Sequence, residues 1–254
     1  MSASGRDEQL EFAAKYEESS YTFEFEQSGF VPRKLLQFVD GENVIDFGCG
    51  PVLNVLGLFY TNAKKIVGFD KSEANLEFLE NLMKIGAVTA NQKRALRFLR
   101  SESNGLSEAF QANLLRATDD SFVKQLYAKI SLIQGEVQKL DKSLIGQFDS
   151  VVQCGCFGCL GSEEEFEQST QNAYDYLKSG GKMLMINWLQ SMYRDRPFGF
   201  NSPFSCRLDR DLYSRALIGA GFKIDFLEYS EELTPTSRAN GNTAILWSVA
   251  RKSD

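Results

Sequence analysis

Two glycines, Gly48 and Gly50, stand on either side of Cys49 at the end of the apolar run "NVIDF", and Pro51 follows at once. An acid, Asp70, lies 20 positions after Gly50 and closes the next apolar run, "KIVGFD". Glycine lets backbone come close to a bound molecule, and a carboxylate ending the neighbouring strand can accept two hydrogen bonds from a ribose diol. A dinucleotide site needs a third glycine three positions after the second, beside the pyrophosphate, and that position is Leu53. No Gly-Lys-Ser/Thr follows the turn, so an ordinary phosphate loop is excluded as well.

A shortened glycine turn, an acid ending the second strand and a second acid, Glu136, after the third suit a nucleoside without phosphates. S-adenosylmethionine is such a ligand: it carries a sulfonium and a zwitterionic amino acid, and its ribose hydroxyls and amino group need holding. The rest of the chemical inventory is restrictive. The chain has no histidine, which removes the commonest general base, the commonest metal ligand and every Ser-His or Cys-His nucleophile pair. Three of its five cysteines crowd into "CGCFGC" (Cys154, Cys156, Cys159). That spacing could supply three thiolates to a metal, but no histidine completes the set, and small residues at the end of a strand suit close approach to a ligand, so packing is the better account and no metal is expected.

These residues need a scaffold. From Asn43 onward, short apolar runs alternate with amphipathic segments: "NVIDF", a helix near Leu53 to Tyr60, "KIVGF", and a helix from about Glu73 to Lys84. The rhythm is that of a parallel sheet with helices on its faces. A polar, helical-looking stretch over residues 86–130 interrupts it and reads as an insertion. It resumes with "SLIQG", "DSVVQCG", a helix near Glu163 to Lys178, the strand "KMLMIN" after "SGG", and a helix near Arg210 to Ala220. "FKIDFLEY" and "TAILWSVARK" follow without a helix between them, which fits an antiparallel hairpin at the edge of the sheet. The expected fold is a single α/β domain over 1–254, doubly wound and Rossmann-like, with a mostly parallel seven-stranded sheet and an antiparallel last strand. Residues 1–40 form a helical cap, with helices at Asp7 to Glu18 and Val31 to Val39. Its aromatics Tyr21, Phe23, Phe25 and Phe30 suit a lid over the site and ordinary core burial equally well.

At 254 residues and 43% hydrophobic, the chain can bury one sizeable core. A net charge of -6 argues against nucleic acid or an anionic membrane surface as partner. No window approaches the roughly 20 apolar residues that span a bilayer. With an odd number of cysteines and no apolar leader, a cytoplasmic location with free thiols is expected.

The chain resembles the small-molecule N-methyltransferase family that includes the nicotinamide, phenylethanolamine, indolethylamine and thioether methyltransferases, over almost its whole length. The resemblance implies a methyltransferase sheet binding S-adenosylmethionine and releasing S-adenosylhomocysteine. The family's paired tyrosines fall on Tyr16 and Tyr21, and its glycine turn on Gly48, Cys49, Gly50 and Pro51. Its ribose acid falls on Asp70, followed by Lys71, and its adenine-side Asn on Asn75. Its acid-Val pair is matched by Glu136 and Val137, and the Thr ending its fourth strand by Cys154. The Tyr that usually follows the turn is replaced by Asn54.

On the acceptor side the resemblance is looser. Two acids that hold cationic amines in the family are replaced by Asn187 and Gly158, so a cationic amine loses its counter-ions. Tyr193 is matched, Arg194 stands where the nicotinamide enzyme has a tyrosine and suits an anionic acceptor, and Cys206 falls near a serine that binds the amide. The resemblance therefore implies methyl transfer to a small molecule, most naturally at nitrogen, by a monomer with neither nucleic-acid nor membrane partner. A catalytically silent binder of the same cofactor and transfer to oxygen or sulfur are the alternatives.

Overall fold

The computed structural model describes residues 8–11, 13–14, 41–51, 63–87, 89, 93, 119–189, 208–233, 238 and 242–253. Seven strands form one sheet in the order β3-β2-β1-β4-β5-β7-β6. They are β1 (Asn43–Phe47), β2 (Lys65–Asp70), β3 (Ile130–Gln134), β4 (Phe148–Cys154), β5 (Leu177–Leu189), β6 (Phe222–Ser230) and β7 (Ala244–Lys252). β1 pairs in parallel with both β2 and β4, β2 with β3, and β4 with β5. β7 runs antiparallel between β5 and β6, so the final hairpin expected from sequence closes the sheet with its second strand inward.

Both faces are covered, which is why the parallel strands read as nearly continuous apolar runs. Val44, Ile66, Val152, Leu184 and Trp247 face one core with Leu76 and Leu79 of helix α1 (Glu73–Ile85) and Val123 and Leu126 of α2 (Asp119–Tyr127). Ile45, Phe47, Val67, Val151 and Met183 face the other, with Phe166 and Tyr176 of α3 (Glu163–Tyr176) and Leu212 and Tyr213 of α4 (Arg210–Gly219). The end of the expected insertion thus belongs to the framework: α2 packs on the first core, and Ile130 already pairs with Ile66.

Helix starts are set locally. Ser72, Ser162 and Asp209 each accept the backbone N–H three residues on, at 3.3, 3.2 and 2.8 Å. Glu165 reaches back past the cap and accepts the Gly161 N–H at 2.7 Å. One boundary differs from the sequence reading. α3 stops at Tyr176, and Leu177 turns to extended backbone and pairs with Phe148. The next partners are Ser150 and Lys182, so residues 178–181 bulge within β5 instead of ending a helix.

At the sheet end remote from the glycine turn, Asp149 fastens β1 to β4. Its Oδ2 accepts from Glu42 N at 3.1 Å and Asn43 N at 2.8 Å, and its Oδ1 from Lys178 Nζ at 2.7 Å. Burial raises the carboxyl pKa, but Lys178 and the two amides more than offset it, leaving the group below its ordinary value. That stabilisation is present above the unfolded carboxyl pKa and is lost as pH falls through the lower folded value. Asp149→Ala is expected to cost about 1 to 3 kcal/mol at pH 7. In urea melts the gap from wild type should close as pH falls below about 4. A gap that stayed constant down to the acid limit would refute the assignment.

Candidate active site at the carboxyl ends of the strands

The strand order reverses between β1 and β4, and in open α/β sheets ligands bind at such a switch point, beyond the carboxyl ends of the strands. The turn that leaves β1 there is rigidly mounted. Phe47, its last strand residue, meets Phe69 at 5.2 Å, Tyr176 at 5.5 Å and Phe157 at 5.9 Å between ring centroids. The Gly48 and Cys49 N–H groups both donate to the Phe69 carbonyl, at 2.7 and 3.1 Å. The Gly50 N–H donates to Asp70 Oδ2 at 2.8 Å. Three successive amides are therefore held by the last two residues of β2.

The two glycines do different work. Gly48 has φ +80°, and a Cβ placed there would lie 2.1 Å from Cys156 Sγ and 2.4 Å from Cys156 Cβ. Gly50 has φ +61°, and a Cβ there would meet nothing within 4 Å. One side of the turn is packed shut against the strand-4 turn, and the other opens onto free space.

Asp70 sits at the rim, 9% exposed. Besides Gly50, it accepts from Ser72 N at 2.8 Å and from Asn75 Nδ2 at 3.2 Å, both at Oδ1. A carboxylate has about four lone-pair sites, so three bonds fix its orientation and leave room for a hydroxyl. Asn75, expected beside the adenine, is here a partner of Asp70, placed by its position in the first turn of the Ser72-capped helix α1.

The segment after β3 is anchored next to Asp70. Gly135 N donates to the Asp70 carbonyl at 3.0 Å, and its Cα faces the Phe69 ring so closely that a Cβ would be 2.3 Å from Cζ. Glu136 is outward, with Lys139 Nζ 2.5 Å from its Oε1. Val137 is buried in the second core, and its carbonyl accepts from Asn172 Nδ2 at 2.9 Å.

Beyond β4, Cys156–Cys159 form a single helical turn entered through Gly155. Cys154 packs with Cys49 on the first core. Burial pushes the Cys49 and Cys156 thiols well up, and nearby Asp46 and Asp70 push the same way. Cys159 is pushed up to about 11 by burial, against the opposing charge of Lys71. The four described cysteines are free, and among the described residues no group of three or more His, Cys, Asp or Glu side chains is placed to hold a metal ion. With Cys49 buried, Cys156 and Cys159 partly buried and all three thiols pushed up, these sulfurs behave as small uncharged atoms.

Asn187, expected on the acceptor side, lies near the end of β5. Its side chain is fully buried and bonded within the protein. It donates to the Tyr213 hydroxyl at 2.6 Å and to Gln153 Oε1 at 3.0 Å, and accepts from Gly158 N at 3.2 Å. Gln153, Tyr213 and Asn172 were absent from the sequence reading. A buried amide on an apolar strand carries no local signal of its partner. Tyr16, Tyr21, Asn54, Tyr193, Arg194 and Cys206 lie outside the described residues, as do the expected helix near Leu53 to Tyr60 and most of the cap and insertion.

The sequence profile of the NNMT/PNMT/TEMT family matches residues 12–253. The chain belongs to that family. As a family member it is an S-adenosylmethionine-dependent methyltransferase, and S-adenosylmethionine is its cofactor. None of the curated proteins matches it significantly. Solved structures share its fold at low identity. A SAM-dependent methyltransferase from Methanosarcina mazei superposes with TM-score 0.58 at 14% identity, over 85% of this chain and 95% of that one. One from Aquifex aeolicus gives 0.56 at 12%, over 96% and 98%. A cyclase, SpnF, gives 0.55 at 14%, over 87% and 80%. Among the described residues of this family member, no helix is long and apolar enough to cross a membrane.

The described shell fits the cofactor's chemistry. The open side of Gly50 admits backbone contact, and Asp70 offers an oriented carboxylate to a diol. The Cys49 and Cys156 thiols, pushed well up by burial, add no charge beside the turn.

Proposed function

We propose that this chain moves the methyl group of S-adenosylmethionine to a nitrogen of a small-molecule acceptor. The observation that carries the reading is the Gly50 N–H to Asp70 Oδ2 bond at 2.8 Å, which joins the open glycine turn and the ribose acid into one unit. Gly48, Cys49 and Gly50 would border the amino-acid end of the cofactor, Asp70 its ribose, and Lys71, Asn75, Glu136 and Val137 its adenine side. Cys154 would stand beside the sulfonium. Tyr16, Tyr21 and Asn54 complete the set by family resemblance.

When bound, the cofactor supplies an electrophilic methyl on a sulfonium. The protein's part is alignment and exclusion of water, which lower the barrier by holding the nucleophile near ~3 Å from the methyl carbon. A neutral nitrogen needs no proton removed before attack, which agrees with a chain lacking histidine. Gly158 and Asn187 stand where the family has the acids that hold a cationic amine and neither carries a carboxylate, so a cationic amine is a poor fit. Arg194, with Tyr193 and Cys206, points to an acceptor bearing a carboxylate or other anion.

Incubation with methyl-labelled cofactor and a panel of pyridine carboxylates, aromatic acids, thioethers and aryl-ethylamines tests the reading. Label is expected on the ring nitrogen of an anionic or neutral heterocycle and not on the protonated amines. Cofactor binding with no transfer to any acceptor would instead support the silent-binder alternative.

A further inference from the structure

We propose that Gln153, Asn187 and Tyr213 form an uncharged positioning network that sets the methyl-donor site by holding the turn after β4 against Gly48. The proposal rests on the assignment of the glycine turn to the donor. All three side chains are fully buried, and they come from three different elements, β4, β5 and α4.

The chain of contacts starts on α4. The Tyr213 hydroxyl is 2.6 Å from Asn187 Nδ2, and the Asn187 and Gln153 carboxamides meet through both of their polar atoms, at 3.0 and 3.2 Å. The far side of the Gln153 amide faces three consecutive backbone N–H groups. With its oxygen turned toward them, an orientation that gives up the two hydrogen bonds to Asn187, it accepts from Cys156 at 2.7 Å, Phe157 at 2.9 Å and Gly155 at 3.0 Å. The Cys156 and Phe157 N–H groups open the one-turn helix Cys156–Cys159 and need an acceptor, because buried N–H groups left unpaired are costly, whereas the Gly155 N–H already donates to the Ile186 carbonyl at 2.8 Å. The Gly158 N–H, 3.2 Å from Asn187 Oδ1, ties the same turn a second time.

The turn in turn fixes the donor loop. Cys156 occupies the volume that a Cβ on Gly48 would need. Phe157 rests edge-on against Phe47, the residue before Gly48, and a run of rings leads from Phe157 through Phe166 at 5.6 Å to Tyr213 at 5.5 Å. Tyr213 therefore reaches the donor turn by two routes, one polar and one aromatic. Burial pushes its phenol well above the ordinary value, so the network keeps one protonation state through the neutral range. Asn187 acts here through the Gly158 N–H and the turn.

The test is S-adenosylhomocysteine affinity by calorimetry in Gln153→Leu, Gln153→Glu and Tyr213→Phe, each with a thermal melt. Leucine fills the space but leaves the Cys156 and Phe157 N–H groups unpaired, and affinity should fall about tenfold or more. Glutamate keeps an oxygen for the same donors and should return affinity to within about threefold of wild type, as charge-assisted bonds to N–H are strong. A packing role alone predicts the opposite order, since a buried carboxylate is worse tolerated than leucine. Tyr213→Phe removes one oxygen and should weaken binding about threefold. Wild-type affinity in Gln153→Leu, or equal losses in the Leu and Glu variants, would overturn the proposal. If Gln153→Leu does not fold, Tyr213→Phe decides, and wild-type affinity there would overturn it. Failure of the site assignment itself looks different, because wild-type protein would then give no heat with S-adenosylhomocysteine.

Discussion

Gly48→Ala is expected to abolish detectable S-adenosylhomocysteine binding and to destabilise the fold by about 3 kcal/mol or more, the range for overpacking combined with backbone strain. Two costs coincide at this position. The residue has φ +80°, which an L side chain rarely adopts, and its Cβ would fall 2.1 Å from Cys156 Sγ. Trimming Cys156 to alanine gives no relief, because its own Cβ stands 2.4 Å from the same point. Either the glycine turn or the strand-4 turn has to move, and both border the proposed donor site. Gly50→Ala is the control. It meets nothing within 4 Å, so its folding cost should be limited to the left-handed backbone, about 1 to 2 kcal/mol. Its methyl group nevertheless projects into the space assigned to the ligand, so affinity should fall more than stability does. Urea melts paired with calorimetry separate the two effects. A folded Gly48→Ala protein that binds within twofold of wild type would show that the turn is mounted differently.

The second large effect is at Asp70. Asp70→Ala removes the acceptor of Gly50 N, Ser72 N and Asn75 Nδ2 together, so the turn, the start of α1 and the proposed ribose contact all lose their common anchor. S-adenosylhomocysteine affinity should weaken by about 2 to 3 kcal/mol, the scale of lost charge-assisted hydrogen bonds. Asp70→Asn keeps one oxygen of the same shape and should recover part of that loss. An unchanged affinity in the alanine variant would place the ribose elsewhere.

The elements that frame the site were legible because their signals are local. Ser72 three residues before Asn75, the apolar runs of β1 and β2, and glycines at positive φ all act within a few residues of chain. The polar interior was not. Asn187 meets Gln153 across 34 positions and Tyr213 across 26, and nothing near Asn187 distinguishes a sealed amide from one that faces a ligand. Its place in the family pattern points to the acceptor side, and only the fold reveals the hydroxyl of Tyr213 and the backbone of Gly158 that hold it. Asp149 passed unnoticed for a related reason, since an acid near the start of a strand looks solvent-facing until the amides of Glu42 and Asn43 arrive from 107 and 106 positions away. The α3 to β5 boundary was misread because "LKSGGK" resembles a helix end followed by a loop. Pairing of Leu177 with Phe148 overrode that local preference.

The antiparallel insertion of β7 also has a consequence for biogenesis. This strand is the last of the seven to leave the ribosome, yet it lies inside the sheet, with β5 on one side and β6 on the other. Until residues 244–252 emerge, β5 keeps a naked edge of main-chain groups and β6 has no strand to pair with. Such an edge invites pairing with other chains, so a nascent polypeptide stalled before Ala244 should be a substrate for holdase chaperones, while completion of the sheet is confined to the moments after the final strand is released.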